Sequence, residues 1–441
     1  MASKRRVRAA LGVILLLSVG VLAYGAATAP TTASADTVPR PAPRPGPTVV
    51  TESAKFGTII AWNPNGSLRY YDDDHTKYFD VDPVANTSLT VEYAATDTIH
   101  TSRPTCRSPP CTRNVIERVN LSTGETEEIY ARYDPAETAA EWHDHVRVDE
   151  NHVIVADIVH DQVFKVDTET ELVEWRWDVQ SDFPVSGGGP YPGDWAHIND
   201  VSLLDDGRVM VSLRNQDQVV FLDPETGLQA NWTLGKDDAH SVLYEQHNPD
   251  FVPASQGGPA VVVADSENGR IVEYQRRNGS WERTWQWQDS RIQWPRDADR
   301  LPNGHTLIAD THGKRVLEVD RSGDVVWSVP VSHPYDAERL NTGAESTGGA
   351  SATRLGLTSR TDERRETVGI DPLGALSDAV TAVVPHRIVN GIIFVAPVWM
   401  GRAEFTAAGI GLLAALVWVG LEVRWRLPPL GLRWPVYRRG E

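Results

Sequence analysis

Between residues 51 and 340 the apolar residues come in short runs, not at helical spacing. Short runs of Val, Ile, Leu and Trp are separated by Asp-Gly, Asn-Gly or Glu-Thr-Gly turns about every ten residues, which predicts many antiparallel strands. The strands repeat. HDHVRVDENHVIVADIVHDQVFKVD (143–167) aligns without a gap on RDADRLPNGHTLIADTHGKRVLEVD (296–320), sharing Asp144/Asp297, Ala156-Asp157/Ala309-Asp310, Val163/Val316 and Asp167/Asp320. VVVADSENGRIVEYQ (261–275) matches the second half, and 197–223 matches with one extra residue. Tryptophans close the units at 175, 177, 232, 285, 287 and 327. Repeats of about 45–50 residues built from short strands predict a β-propeller, here all-β with six blades over 51–340. An open stack of sheets is the alternative.

The two ends break this pattern. Lys4, Arg5, Arg6 and Arg8 precede an apolar run from Ala9 to Ala29, long enough to cross a bilayer with its N-terminus inside. Ala33-Ser34-Ala35 also fits a signal-peptide cleavage pattern, so residues 1–35 read as an anchor or a signal segment. A second run, Phe405–Leu421, is flanked by charges and followed by Arg426, Arg433, Arg438 and Arg439. It predicts a second transmembrane helix within 387–426, with Ile388–Met400 as an interfacial segment and 427–441 as a basic cytoplasmic tail. Residues 36–50 are Pro-rich and 341–386 polar, and both read as linkers. This topology puts the propeller outside the cytoplasm, at the cell membrane. Cys106 and Cys111, the only cysteines, could then close a disulfide; two thiols five apart are a poor zinc site. Five Asn-x-Ser/Thr sequons lend weak support.

Charge narrows the function. The chain carries 60 acids and 42 bases, a net of −18, and residues 1–48 and 387–441 are both net basic. The middle is therefore strongly acidic, which argues against nucleic acid as a partner. Only six of the bases are Lys, and an acid-rich, Lys-poor surface is expected of a halophilic protein.

In a propeller each blade re-enters the central channel at the start of its innermost strand or in the loop before it. That phase of the repeat carries His143, His197, His247 and Arg296. Converging His and Arg with little acid nearby predict a positive pocket for a sulfate, phosphate or carboxylate. Arg214 and Arg270 occupy nearby turns, and Arg315 shares the phase of Arg270, so a turn-bracing role for that phase stands beside a catalytic one. No metal or cofactor is assigned, and no Gly-x-x-x-x-Gly-Lys-Ser/Thr loop is present for a nucleotide donor.

WAHIND, DGRVMVSLRNQDQVVFLD, QHNPDF, VVVADSENGRIVEYQ and WPRDADRLPNGHTLIAD together resemble the arylsulfotransferase family, in its haloarchaeal branch, over roughly 55–340. The resemblance implies a six-bladed propeller. It also implies transfer of a sulfuryl group from an aryl sulfate donor to a phenolic acceptor through a sulfohistidine, without a nucleotide. His197 and Asn199 match the family's Trp-x-His-x-Asn, His247 its later histidine, and Arg270 the following arginine. Where the family places its nucleophile this chain has Arg296, with His312 in the next turn, so His143, His197, His247 and His312 all stay candidates. Arg214, Asn199 and His312 are expected to contact substrate. Two alternatives are a propeller that only binds a glycan, lipid or protein partner, and a metal-dependent hydrolase.

Overall fold

A computed structural model describes residues 2–29, 34–53, 57–135, 140–289, 291–361 and 384–426. Contacts divide these residues into two units: the propeller with its adjoining segments, and the terminal helices.

The propeller has six antiparallel sheets, five of four strands and one of five. Blade I starts at Lys77–Pro83, blade II at Trp142–Arg147, blade III at Ile198–Leu203, blade IV at His247–Val252 and blade V at Asp297–Arg300. Blade VI joins the two ends of the domain. Its innermost strand, Pro334–Arg339, pairs with Thr48–Glu52, which leads outward to Thr58–Trp62 and Leu68–Asp72. The six innermost strands contact one another in ring order around the axis.

The core is distributed between the blades. Each of six large apolar clusters draws its residues from two adjacent blades, for example Val163, Trp177, Ile198 and Val211 between II and III, and Ile271, Trp287, Ile308 and Leu317 between IV and V. Both faces of each sheet are thus covered, which accounts for the near-continuous apolar runs.

The repeated Ala-Asp has a structural task. Asp265 and Asp310 are fully buried and accept the backbone N–H of Tyr244 and Gln293, fixing the loops that enter blades IV and V. Arg270 and Arg315 brace these carboxylates at 2.6 and 2.7 Å.

The segments read as linkers are partly propeller. The buried indoles of Trp62 and Trp327 donate to the carbonyls of Pro39 and Ala42, both at 2.9 Å, so the Pro-rich run lies along blades V and VI. Likewise Trp285 donates to Thr358 at 3.2 Å, and the turns Glu345–Gly348 and Ala352–Leu355 pack on blades IV and V. Buried indole N–H groups need acceptors, and polar composition hid these contacts. Cys106 and Cys111 form a disulfide with Cα atoms 5.8 Å apart.

In the other unit, Ala2–Thr28 and Arg402–Arg426 are long and apolar enough to span a membrane. They pack antiparallel: Arg8 pairs with Glu422, while Gly411 lies close to Ser18. Small residues at the contact let two helices approach.

Candidate active site

Each of the six blades presents one side chain at the same end of the channel: Phe79, His143, His247 and Tyr335 from the innermost strands, and His197 and Arg296 from the residue just before them. His143 stacks on Phe79 with ring centroids 4.5 Å apart and meets His197 at 5.1 Å and Tyr335 at 5.4 Å. His247 lies 6.5 Å from Tyr335, and the Arg296 guanidinium sits 4.9 Å over the same ring. The four charged or titratable residues expected at this phase therefore do converge, around a tyrosine. The entry loops and the start of the blade IV strand are held in rare backbone conformations. His197, Glu245, Asn248 and Trp294 all have positive φ, at 50°, 46°, 33° and 52°, a region non-glycine residues seldom adopt and that recurs at functional sites.

Hydrogen bonds set the histidines apart. His197 Nδ1 faces the Asp194 carboxylate, so Nδ1 carries the proton, and its Nε2 accepts from Arg214 Nη1 at 3.1 Å. Both nitrogens are thus occupied. His247 Nδ1 lies 2.8 Å from Ser266 Oγ and 3.2 Å from the Glu245 carbonyl. Ser266 donates its one proton to the Pro295 carbonyl at 2.7 Å, so His247 Nδ1 must be the donor. Its Nε2 then bears a lone pair and has no partner among the described residues. His143 Nδ1 likewise has no partner among the described residues. Burial, and then the charges around them, hold His143 and His247 well below the ordinary imidazole value, so both are neutral. His197 is lowered by burial and by Arg214, against the pull of Asp194. Arg296 is brought down to about 10 by burial but stays cationic at neutral pH. Its Nη1 donates to Ser53 and its Nε is unpartnered.

Other expected residues fall elsewhere. Arg270 binds Asp265 and the carbonyls of Ser241 and Val242, away from the ring. It braces the loop that carries His247. Asn199 is fully buried and donates to the Gln246 carbonyl at 2.8 Å, tying blade III to blade IV. His312 sits beside the ring, 4.4 Å from Trp294 and 6.2 Å from His333, with Nδ1 unpartnered. Arg214 belongs to the ring through His197.

The expectation of little acid nearby fails. One step down the channel lie Asp80, Asp144, Asp200, Asp297 and Asp336, all buried. Asp144, Asp297 and Asp336 each accept the backbone N–H of the next blade's innermost strand, at Val201, Ala337 and Val81. These acids stitch the blades together.

The short helix His386–Val395 lies over the same end of the propeller. Asn390 donates to Glu267 at 2.8 Å, Arg387 pairs with Glu245 at 3.2 Å, and Phe394 meets Trp294 edge-on at 6.1 Å. Beside it, a polar pocket of about 230 Å³ is lined by Asp194, Arg214, Tyr244, Glu245 and Arg387, among others.

Residues 145–332 match the sequence profile described as Arylsulfotransferase (ASST). The match includes His197, Arg214, His247 and Arg296. No curated protein matches the chain. Among solved structures, a Bacteroides caccae protein of unknown function is 12% identical, with a TM-score of 0.45, covering 67% of this chain and 99% of its own. A periplasmic gluconolactonase of Pseudomonas aeruginosa is 12% identical with a TM-score of 0.42, covering 67% and 99%. A virginiamycin B lyase of Staphylococcus aureus is 9% identical with a TM-score of 0.39, covering 65% and 84%. Overlap this loose does not bear on the chemistry.

Proposed function

We propose that the protein is an arylsulfotransferase whose nucleophile is His247, and that it works on the outer face of the membrane without a nucleotide. The family match supports the reaction class, and one observation carries the choice of nucleophile. Among the histidines at the channel mouth, His247 alone has its tautomer set by two acceptors on Nδ1 and its Nε2 left free.

In the first half-reaction the Nε2 lone pair attacks the sulfur of an aryl sulfate. An N–S bond forms, the S–O(aryl) bond breaks, and the phenoxide leaves with the electron pair. Arg214 and Arg296 stand where they can meet the sulfuryl oxygens and the departing charge. In the second half a phenol gives its proton to the unpartnered Nδ1 of His143, and its oxygen takes the sulfuryl group as the S–N bond breaks. The proton then passes to solvent and both histidines are restored. Because all three ring histidines are held toward their neutral forms, they fit nucleophile and base; the positive charge of the site rests on arginine.

Outward placement is supported by two helices able to span a membrane, by basic residues at the start of the first and the end of the second, and by the disulfide. The test is to quench the protein with 4-nitrophenyl sulfate and map peptides by mass spectrometry under alkaline conditions. A sulfated His247 is expected. Nitrophenol release with the label on another histidine overturns the assignment, and no release from folded protein favours a non-catalytic binder.

A further inference from the structure

Deeper along the inner strands than the histidines, four carboxylates meet. Asp250, Asp297, Asp299 and Glu345 each place one oxygen within 4.8 Å of the others. They come from blade IV, from two positions of blade V, and from the turn that follows blade VI. Alternation along Asp297-Ala298-Asp299 puts both acids on the channel side. The turn is pressed tightly into place. A Cβ on Gly349 would lie 2.0 Å from the Arg300 carbonyl, and Glu345 itself has φ +50°.

Asp299 is 1% exposed and, among the described residues, no N–H or hydroxyl donor reaches either of its carboxylate oxygens; Asp297, fully buried, has one oxygen in the same state. Asp250 accepts from the Ser346 hydroxyl and otherwise meets the carboxyls of Glu345 and Asp299, and the second oxygen of Asp297 accepts from the Ala337 amide. Two nearby arginines act on Asp250 and Asp299 through charge, and their ion pairs are made with other acids. Arg300 pairs with Glu273 at 3.3 Å and Arg339 with Glu318 at 3.0 Å. Further acids, Asp336 and Glu338, are also close by. Buried carboxylates without partners must gain protons or a cation.

We infer that Asp250, Asp297, Asp299 and Glu345 bind a divalent cation, Ca²⁺ by preference, that pins the final turn to blades IV and V. All four donors are oxygen, which selects a hard cation. Oxygens up to 4.8 Å apart suit opposite ligands of an ion held at about 2.3–2.6 Å, whereas Mg²⁺ at about 2.0–2.1 Å needs a tighter cage. The site lies outside the sulfuryl-transfer machinery, so it stands or falls separately.

The test uses the full chain in detergent, stripped with chelator and titrated with Ca²⁺ in potassium chloride. Equilibrium dialysis and thermal melting are the readouts. One Ca²⁺ per chain and a higher Tm are expected, with Mg²⁺ at least tenfold weaker. Asp299→Asn should raise the Tm of the stripped protein, by removing repulsion, and weaken Ca²⁺ binding at least tenfold. If that variant does not fold, the titration of the unaltered chain still decides. Stripped protein that binds no Ca²⁺ and melts as before overturns the proposal. So does stripped protein that gains stability only on acidification, since protons would then be the neutralising species.

Discussion

Replacing Ser266 with alanine probes the proposed nucleophile without touching it. The change deletes the 2.8 Å acceptor of His247 Nδ1–H and the 2.7 Å donor to the Pro295 carbonyl. Both contacts are buried, and a buried polar group left unpaired costs about 1–3 kcal/mol. In His247 that cost falls on the tautomer whose Nε2 is free. If it is felt in full at the transition state, turnover falls by about 5- to 150-fold. The Glu245 carbonyl, at 3.2 Å, remains as a second acceptor and pulls the expectation to the lower half of that range. Stopped-flow release of nitrophenol in a single turnover reads the step directly, and melting of the same sample reports the folded fraction. Loss of the blade IV–blade V contact alone would lower the Tm and leave the rate per folded molecule unchanged. A Ser266→Ala protein that keeps the single-turnover rate of the parent refutes the tautomer argument.

Arg270→Ala should lower stability by about 1–3 kcal/mol, because fully buried Asp265 loses a charged partner but keeps Asn268; denaturant melts check this, and turnover per folded molecule lost outright would return Arg270 to the catalytic set. The plateau of kcat/KM should continue as pH falls through about 6.5, the ordinary imidazole value, because burial and Arg296 depress His247; an acid limb centred there would contradict a neutral, buried nucleophile. The same depression carries a stability term of definite sign. Neutral His143 and His247 stabilise the fold above the unfolded value of about 6.5, and that contribution is lost as pH falls below it, so histidine-to-glutamine variants should show a weaker loss of Tm over that window.

Period and repeat made the fold legible. Gap-free alignment of 143–167 on 296–320 gave the blade unit, and its phase gave His143, His197, His247 and Arg296, because a ring of blades turns one repeat position into one place in space. The sixth position was equally readable: HPYDAERL (333–340) repeats WPRDADRL (294–301) and puts Tyr335 opposite Arg296. The acids beneath the ring were written in the same strands, as Asp80-x-Asp82, Asp297-x-Asp299 and Asp336-x-Glu338, but charge counted along the chain does not distinguish a channel wall from a solvated face. Arg270 and Asn199 show the converse difficulty. A motif keeps residues that position a site together with those that act in it, and only contacts separate them. Ser266 carried no signal at all, since one hydroxyl matters here solely through the proton it gives to Pro295.

Closure of blade VI has an implication for how the chain is made. Three of its strands are synthesised near the beginning and the fourth only after blades I to V. Until Pro334–Arg339 arrives, the emerging domain is an unclosed arc with the free edge of Thr48–Glu52 at one end, a template for pairing with other chains. Truncation anywhere before residue 334 should therefore give aggregates and not a smaller propeller, and biogenesis must shield that edge for nearly the whole time the domain takes to emerge.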